Sequence, residues 1–95
     1  MAAYVIADLE ILDQELFEEY RQKVPATIAA HGGRYLARGG STEVLEGSWA
    51  PQRCVILEFP DMQHFRAWWS SPEYAPLRVL RRRGAKSQLI VTQGL

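Results

Sequence analysis

The stretch RCVILEFPDMQHF, Arg53 to Phe65, decides how the rest of the chain is read. Its first seven residues are rich in apolar and β-branched side chains, as a half-buried strand requires. Asp61 then offers a short side-chain oxygen to the first free N–H groups of a helix. Phe65 lies four residues on, and Met62, Trp68 and Trp69 extend the apolar face. The same order occurs earlier. AAYVIADLEI (2–11) reads as a strand, Asp13 as a cap, and Phe17 stands four residues beyond it. Leu12 and Phe17 occupy hydrophobic-staple positions. Phe17, Tyr20, Val24 and Ile28 then form one stripe, interrupted by Pro25, where a bend is expected. Gly32 is the stop. In the second unit Ser71-Pro72 breaks and restarts the helix, Tyr74, Leu77 and Leu80 continue the stripe, and Gly84 ends it. SQLIVTQ (87–93) is the last strand.

Strand, Asp-capped helix, Gly stop and strand thus occur twice. Two split βαβ units predict an α+β, ferredoxin-like βαββαβ fold with a four-stranded antiparallel sheet, one domain over residues 1–95. The helices of that fold cover one face of the sheet. Strands such as VILEF carry apolar residues on both alternations, Val55 and Leu57 on one and Ile56 on the other, so cover is expected on both faces. A homodimer built on the helix-free face is the expected solution.

Bulk properties exclude several function classes. The 11 basic and 11 acidic residues cancel, where a nucleic-acid binder carries a basic excess, so no nucleic-acid partner is expected. No apolar run approaches a membrane span, and the acidic start MAAYVIADLE reads as strand and not signal peptide, so no membrane partner is expected. One cysteine, Cys54, permits no internal disulfide and fits a cytoplasmic setting, with Cys54 itself a packing residue. His31 and His64 have no neighbours at metal-ligand spacing, and no cofactor or metal is expected. The basic run RVLRRRGAK (78–86) reads as a solvated helix end that complements the dipole.

The candidate site comes from GGRYLARGG, Gly32 to Gly40. A second strand is expected from Gly33 to about Glu46, with GSWAPQ (47–52) as the turn into the third. That register sets Glu46 opposite Arg53 and Glu58 opposite Ser41. A bulge at Gly39-Gly40 would slide Arg38 toward Glu58. Arg34 would share Arg38's face on a regular strand, as a solvated side chain. Arg38 and Glu58 then have two readings: a structural ion pair, or an anion site in which Arg38 grips a carboxylate and Glu58 orients it or moves a proton. Of Trp68 and Trp69, adjacent on a helix, only one can point squarely into the core. The other would line a cleft, with Glu73 and Tyr74 at a pocket mouth after the helix break.

GGRYLARGG, EVLEGSWAPQRCVILEFPD and AWWSSPEYAPL together resemble the bacterial family catalogued as domain of unknown function 1330, over nearly the whole chain. The family is similar to dimeric α/β-barrel proteins, in which two ferredoxin-like sheets associate. The resemblance implies that a second subunit covers the bare face. It places family motif residues at Gly33, Arg38, Gly39, Gly40, Glu46, Gly47, Arg53, Glu58, Ser71, Glu73 and Tyr74, and a tyrosine is frequent in the family where this chain has Trp69. It implies no established reaction. The expected function is a small dimeric protein binding an anionic or polar small molecule between sheet and helices, whether or not it is an enzyme. The expected catalytic pair is Arg38 and Glu58, and the expected ligand-binding residues are Arg38, Gly39, Gly40, Trp69, Ser71, Glu73 and Tyr74. The alternative is a non-catalytic dimeric structural or interaction module.

Overall fold

The computed structural model describes residues 1–95. The elements are β1 (Ala3–Ile11), α1 (Gln14–Ala30), β2 (Arg34–Arg38), β3 (Cys54–Phe59), α2 (Met62–Trp69), α3 (Ala75–Gly84) and β4 (Ala85–Gln93). The strands form one sheet in the order β2-β3-β1-β4, every neighbouring pair antiparallel. This is the ferredoxin-like α+β arrangement. The Cα atoms span 36 × 33 × 16 Å, a slab whose thin dimension holds one sheet and one helical layer. No helix is long and apolar enough to cross a membrane.

The central strand β1 sets the faces. Ala3, Val5, Ala7 and Leu9 are buried beneath the helices, while Tyr4, Ile6 and Asp8 point the other way. Asp13 caps α1 by accepting from the N–H groups of Glu15 and Leu16 at 3.0 and 3.1 Å. Asp61 caps α2 by accepting from the N–H of His64 at 2.8 Å, and that bond holds its carboxyl below the usual range. Pro25 lies inside α1 without ending it. The predicted stripe Phe17, Tyr20, Val24 and Ile28 is the buried face of that helix. Trp68 is the tryptophan in the core, with ring centroids 4.1 Å from Tyr74 and 5.3 Å from Phe59, and its indole N–H donates to Thr27 Oγ1 at 3.0 Å.

The region between β2 and β3 departs from expectation. The strand ends at Arg38, not near Glu46. Gly39 has φ +73°, and this left-handed residue turns the chain out of the ladder while its N–H donates to the Cys54 carbonyl at 2.8 Å. Residues 41–52 therefore have no strand partner. Their return is fixed by Asp8, whose carboxylate accepts from the Trp49 indole and the N–H groups of Gln52 and Arg53 at 3.3, 2.9 and 3.3 Å. Glu58 consequently pairs with Arg34 and not Ser41. The bulge exists but lies between Tyr35 and Ala37, before the glycine pair. The helix restart is later than the sequence suggests as well. Ser71 Oγ donates to the Trp68 carbonyl at 2.8 Å and accepts from the Tyr74 N–H at 3.2 Å, and α3 begins only at Ala75 with Pro76 in its first turn.

The two glycines of the pair differ in what they tolerate. A Cβ on Gly39 would combine positive φ with a 2.6 Å approach to the Arg53 guanidinium, whereas one on Gly40 meets nothing within 4 Å. Gly39→Ala is expected to lower the unfolding free energy by about 1–2 kcal/mol, and Gly40→Ala to change it by less than about 0.5 kcal/mol. Urea unfolding of both variants checks this; equal effects would contradict the assigned turn.

Candidate functional site

Between α1 and the helix-facing side of the sheet lies a narrow cavity walled mainly by hydrophobic side chains. About 40 Å³ of it can hold the centre of a water-sized sphere, within about 510 Å³ of unfilled space that runs out to solvent. Since a water needs about 10–15 Å³ by this measure, the cavity is small. Four arginines line this apolar space: Arg21, Arg38, Arg53 and Arg81.

Each arginine is placed by a simple local rule. Arg53 stands two residues before Val55 and four before Leu57, on the alternation that faces the helices. Its backbone carbonyl accepts from Leu9 N–H at 3.0 Å, which extends that order beyond the end of β3. Arg38 reaches the same face because of the bulge. Tyr35 pairs with Leu57 and Arg38 with Val55, so both point inward although they are three residues apart. The Arg38 guanidinium lies 4.6 Å from the Tyr35 ring centroid, and its Nη2 donates to the Arg21 carbonyl at 3.2 Å. That carbonyl is free because its helical partner would be the N–H of residue 25, a proline. Arg81 comes from α3, on the helical stripe of Tyr74, Leu77 and Gly84, and is only 3% exposed.

The charge balance is unusual. Arg21 is paired with Glu18 at 2.7 Å, and that bond holds the Glu18 carboxyl below its usual range. Arg38, Arg53 and Arg81 have no carboxylate within 4.0 Å, since the five ion pairs of the chain all lie elsewhere. Arg53 Nε is buried without any partner. The Arg81 side chain makes one hydrogen bond, from Nε to Tyr74 Oη at 3.4 Å, and Tyr74 Oη lies 3.1 Å from Tyr20 Oη. Burial raises the Tyr20 hydroxyl pKa far above its ordinary value, with Tyr74 adding to the rise, so Tyr20 stays protonated. Burial also raises that of Tyr35, with Arg38 opposing it. No group of three or more His, Cys, Asp or Glu side chains comes together as metal ligands would.

The residues expected at the site disperse. Arg38 lines the cavity. Glu58 does not: it lies on the opposite face of the sheet, where it accepts from Arg34 Nε at 2.7 Å and raises the pKa of the Tyr4 hydroxyl through a hydrogen bond. The bulge puts Arg34 and Arg38 on different faces, so no Arg38–Glu58 pair forms. Gly39 borders the Arg53 guanidinium, and Gly40 is open. Trp69 is outside the cavity, under the Arg78 guanidinium at 5.0 Å, and Trp68 is the tryptophan that lines it. Ser71 ties the α2–α3 turn, and exposed Glu73 stands 3.9 Å from His31. Tyr74 is wholly buried behind the wall, not at a mouth. Arg53, Arg81, Tyr20 and Tyr35 were not expected here. The signals were present: Arg81 interrupts a helical apolar stripe, and Arg53 keeps the phase of Val55 and Leu57.

The family described as "Domain of unknown function (DUF1330)" matches residues 2–95, and the chain belongs to it. No curated protein matches. Among solved structures, a protein of unknown function from Rhodopseudomonas palustris superposes with TM-score 0.78 at 18% identity, over 99% of this chain and 82% of the other. SnoaB, a cofactor-independent oxygenase from Streptomyces nogalater, gives TM-score 0.68 at 13% identity, over 99% and 93%. A dimeric ferredoxin-like protein of unknown function from Jannaschia sp. CCS1 gives 0.67 at 11%, over 99% and 100%. At these identities the likeness is one of fold.

A double-mutant cycle in thermal unfolding distinguishes the two possible partners of Glu58. Truncating Arg34 and Glu58 to alanine should show direct coupling of about 0.2–1 kcal/mol. Truncating Arg38 and Glu58 should be additive. Coupling of Glu58 to Arg38 instead would contradict the face assignment.

Proposed function

We propose that this member of the DUF1330 family binds a small, largely apolar anion in the cavity between α1 and the sheet. The observation that carries the reading is the set of three guanidinium groups, Arg38, Arg53 and Arg81, which border an apolar space and none of which is paired with a carboxylate. Removing a cation from water without a counter-charge, as for buried Arg81, costs several kcal/mol, and a bound anion offsets that cost. The apolar walls select against inorganic anions, whose hydration they cannot replace. Arg38, at the exposed end of β2, is the group an entering anion would meet. Arg53 and Arg81 supply positive charge deeper in. Binding is the activity this geometry supports; the likeness to the oxygenase SnoaB extends to the fold.

The protein acts as a homodimer in this reading. The open face of the sheet carries a row of apolar side chains across its strands: Ala37, Ile56, Ile6 and Ile90 stand opposite one another in register. Ile90 is 61% exposed in the single chain. A second copy laid on this row would bury it, as the dimeric description of the Jannaschia protein suggests for a chain of the same fold.

Two experiments test these statements. Among short-chain and aromatic carboxylates and organic phosphates, at least one should raise the melting temperature. Arg38→Lys keeps the charge but loses the planar fork, and should weaken that ligand by about 1–3 kcal/mol with little change in the unliganded midpoint. No response to any anion would overturn the binding reading. Ile90→Glu should give a folded monomer in sedimentation at micromolar concentration, where the native chain sediments as a dimer; a native monomer would overturn the assembly.

A further inference from the structure

The hydrogen-bond chain behind the cavity has a direction, and the direction says what the cavity reads. A guanidinium has donors only, so Arg81 Nε donates to Tyr74 Oη. Tyr74 is wholly buried, and the one other polar atom bonded to its hydroxyl is Tyr20 Oη at 3.1 Å. Were Tyr20 to donate to Tyr74, the Tyr74 hydrogen would be left buried with no acceptor, which costs about 1–3 kcal/mol. Tyr74 therefore donates to Tyr20. Tyr20 Oη is then an acceptor of that bond, and its own hydrogen has no acceptor in the protein. Tyr20 lines the cavity, as Arg81 does at the other end of the chain, and of the two tyrosines only Tyr20 borders it. Each bond in such a series polarises the next, so the last donor is the strongest.

We propose that Tyr20 points its hydroxyl hydrogen into the cavity, and that the ligand is a flat, apolar molecule whose oxygen anion, of phenolate or enolate type, sits against it. This rests on the anion-binding reading above. It adds a place for the charged atom and a class for the body that carries it. The cavity is small and its walls are aromatic and aliphatic, Phe17 and Trp68 on the helix side and Ala7 and Val55 on the sheet, and a planar apolar body suits walls of this kind. The Tyr20 hydroxyl supplies one directed hydrogen bond, and Arg38, Arg53 and Arg81 border the same space and supply positive charge. Tyr20 is a binding residue in this scheme. Tyr74 and Arg81 act through it, as positioning residues.

The probe is para-nitrophenol, whose phenolate is yellow and whose neutral form is not, with para-nitroanisole as the analogue that cannot ionise. Both are titrated with the native protein, with Tyr20→Phe and with Tyr74→Phe. The bound phenol should ionise at lower pH than the free phenol. Tyr20→Phe should weaken phenolate binding roughly ten-fold or more, as the loss of a hydrogen bond to a charged group does. Tyr74→Phe should weaken it in the same direction but less, because Tyr20 keeps its hydroxyl and loses only the bond that aims it. Binding of para-nitroanisole should be equal in all three proteins, which also reports that the cavity is intact. Full phenolate preference in Tyr20→Phe would overturn the role of Tyr20 and leave the arginines as the anion site. Preference lost in Tyr20→Phe but equal to native in Tyr74→Phe would overturn the directed chain. Equal binding of phenolate and anisole by the native protein would overturn the proposal together with the anion reading. Failure of para-nitrophenol to bind at all, with a carboxylate still raising the melting temperature, would overturn the phenolate class alone.

Discussion

The alternation of β1 is the constraint on which the remaining structure depends. It lies between β3 and β4, with β2 beyond β3 at the edge of the sheet. Its inward residues, Ala3, Val5, Ala7 and Leu9, set the phase of β3 and β4 through the ladder. A slip of one residue would turn every one of them to the open face. Everything functional on the helix side, including the phase of Arg53, follows from this register. So does the open face, where Tyr4, Ile6 and Asp8 stand. Asp8 has a second task there, holding the end of the long β2–β3 connection by three hydrogen bonds.

β2 departs from the common phase, and its departure creates the site. The bulge between Tyr35 and Ala37 lets two residues three apart in sequence share a face. Without it, Arg38 would accompany Arg34 on one face and Tyr35 would share the other with Ala37. Pro25 complements the bulge from the opposite wall. By lacking an N–H it leaves the Arg21 carbonyl unpaired, and the Arg38 guanidinium takes that acceptor. A residue that looks like a helix defect thereby helps to hold a cation at the rim of an apolar cavity.

The aromatic block of the helical layer forms part of the cavity wall. Trp68, Tyr74 and Phe59 pack with ring centroids 4.1 and 5.3 Å apart and make this block rigid. Arg81 threads from α3 into the back of this block and finds a tyrosine oxygen, not a carboxylate. The cavity abuts this block, and Trp68 and Arg81 line it. A buried arginine bound only to a phenol is a weak contributor to stability and a strong source of positive potential. Its position, behind Tyr20, makes that potential felt where an occupant would lie.

Local chemistry determined much of this protein from its sequence. The strand–Asp–helix units, the two caps, the stripe of α1 and the turn-forming role of the glycine pair are set by residues near one another in the chain, and the family motifs are equally local. Tertiary structure decided which arginine meets Glu58. That choice turned on whether the bulge fell at Leu36 or at Gly39-Gly40, and both positions satisfy the local rules. It decided that Trp68 and not Trp69 faces inward, because adjacent helix positions are locally equivalent until a sheet is placed against one of them. It also gathered Arg38, Arg53 and Arg81 from β2, the start of β3 and α3 around one space. The charge total of the sequence is zero, so a local excess of positive charge has no signature in composition. It exists because the fold turns Glu58 to the other face, against Arg34, and pairs Glu18 with Arg21.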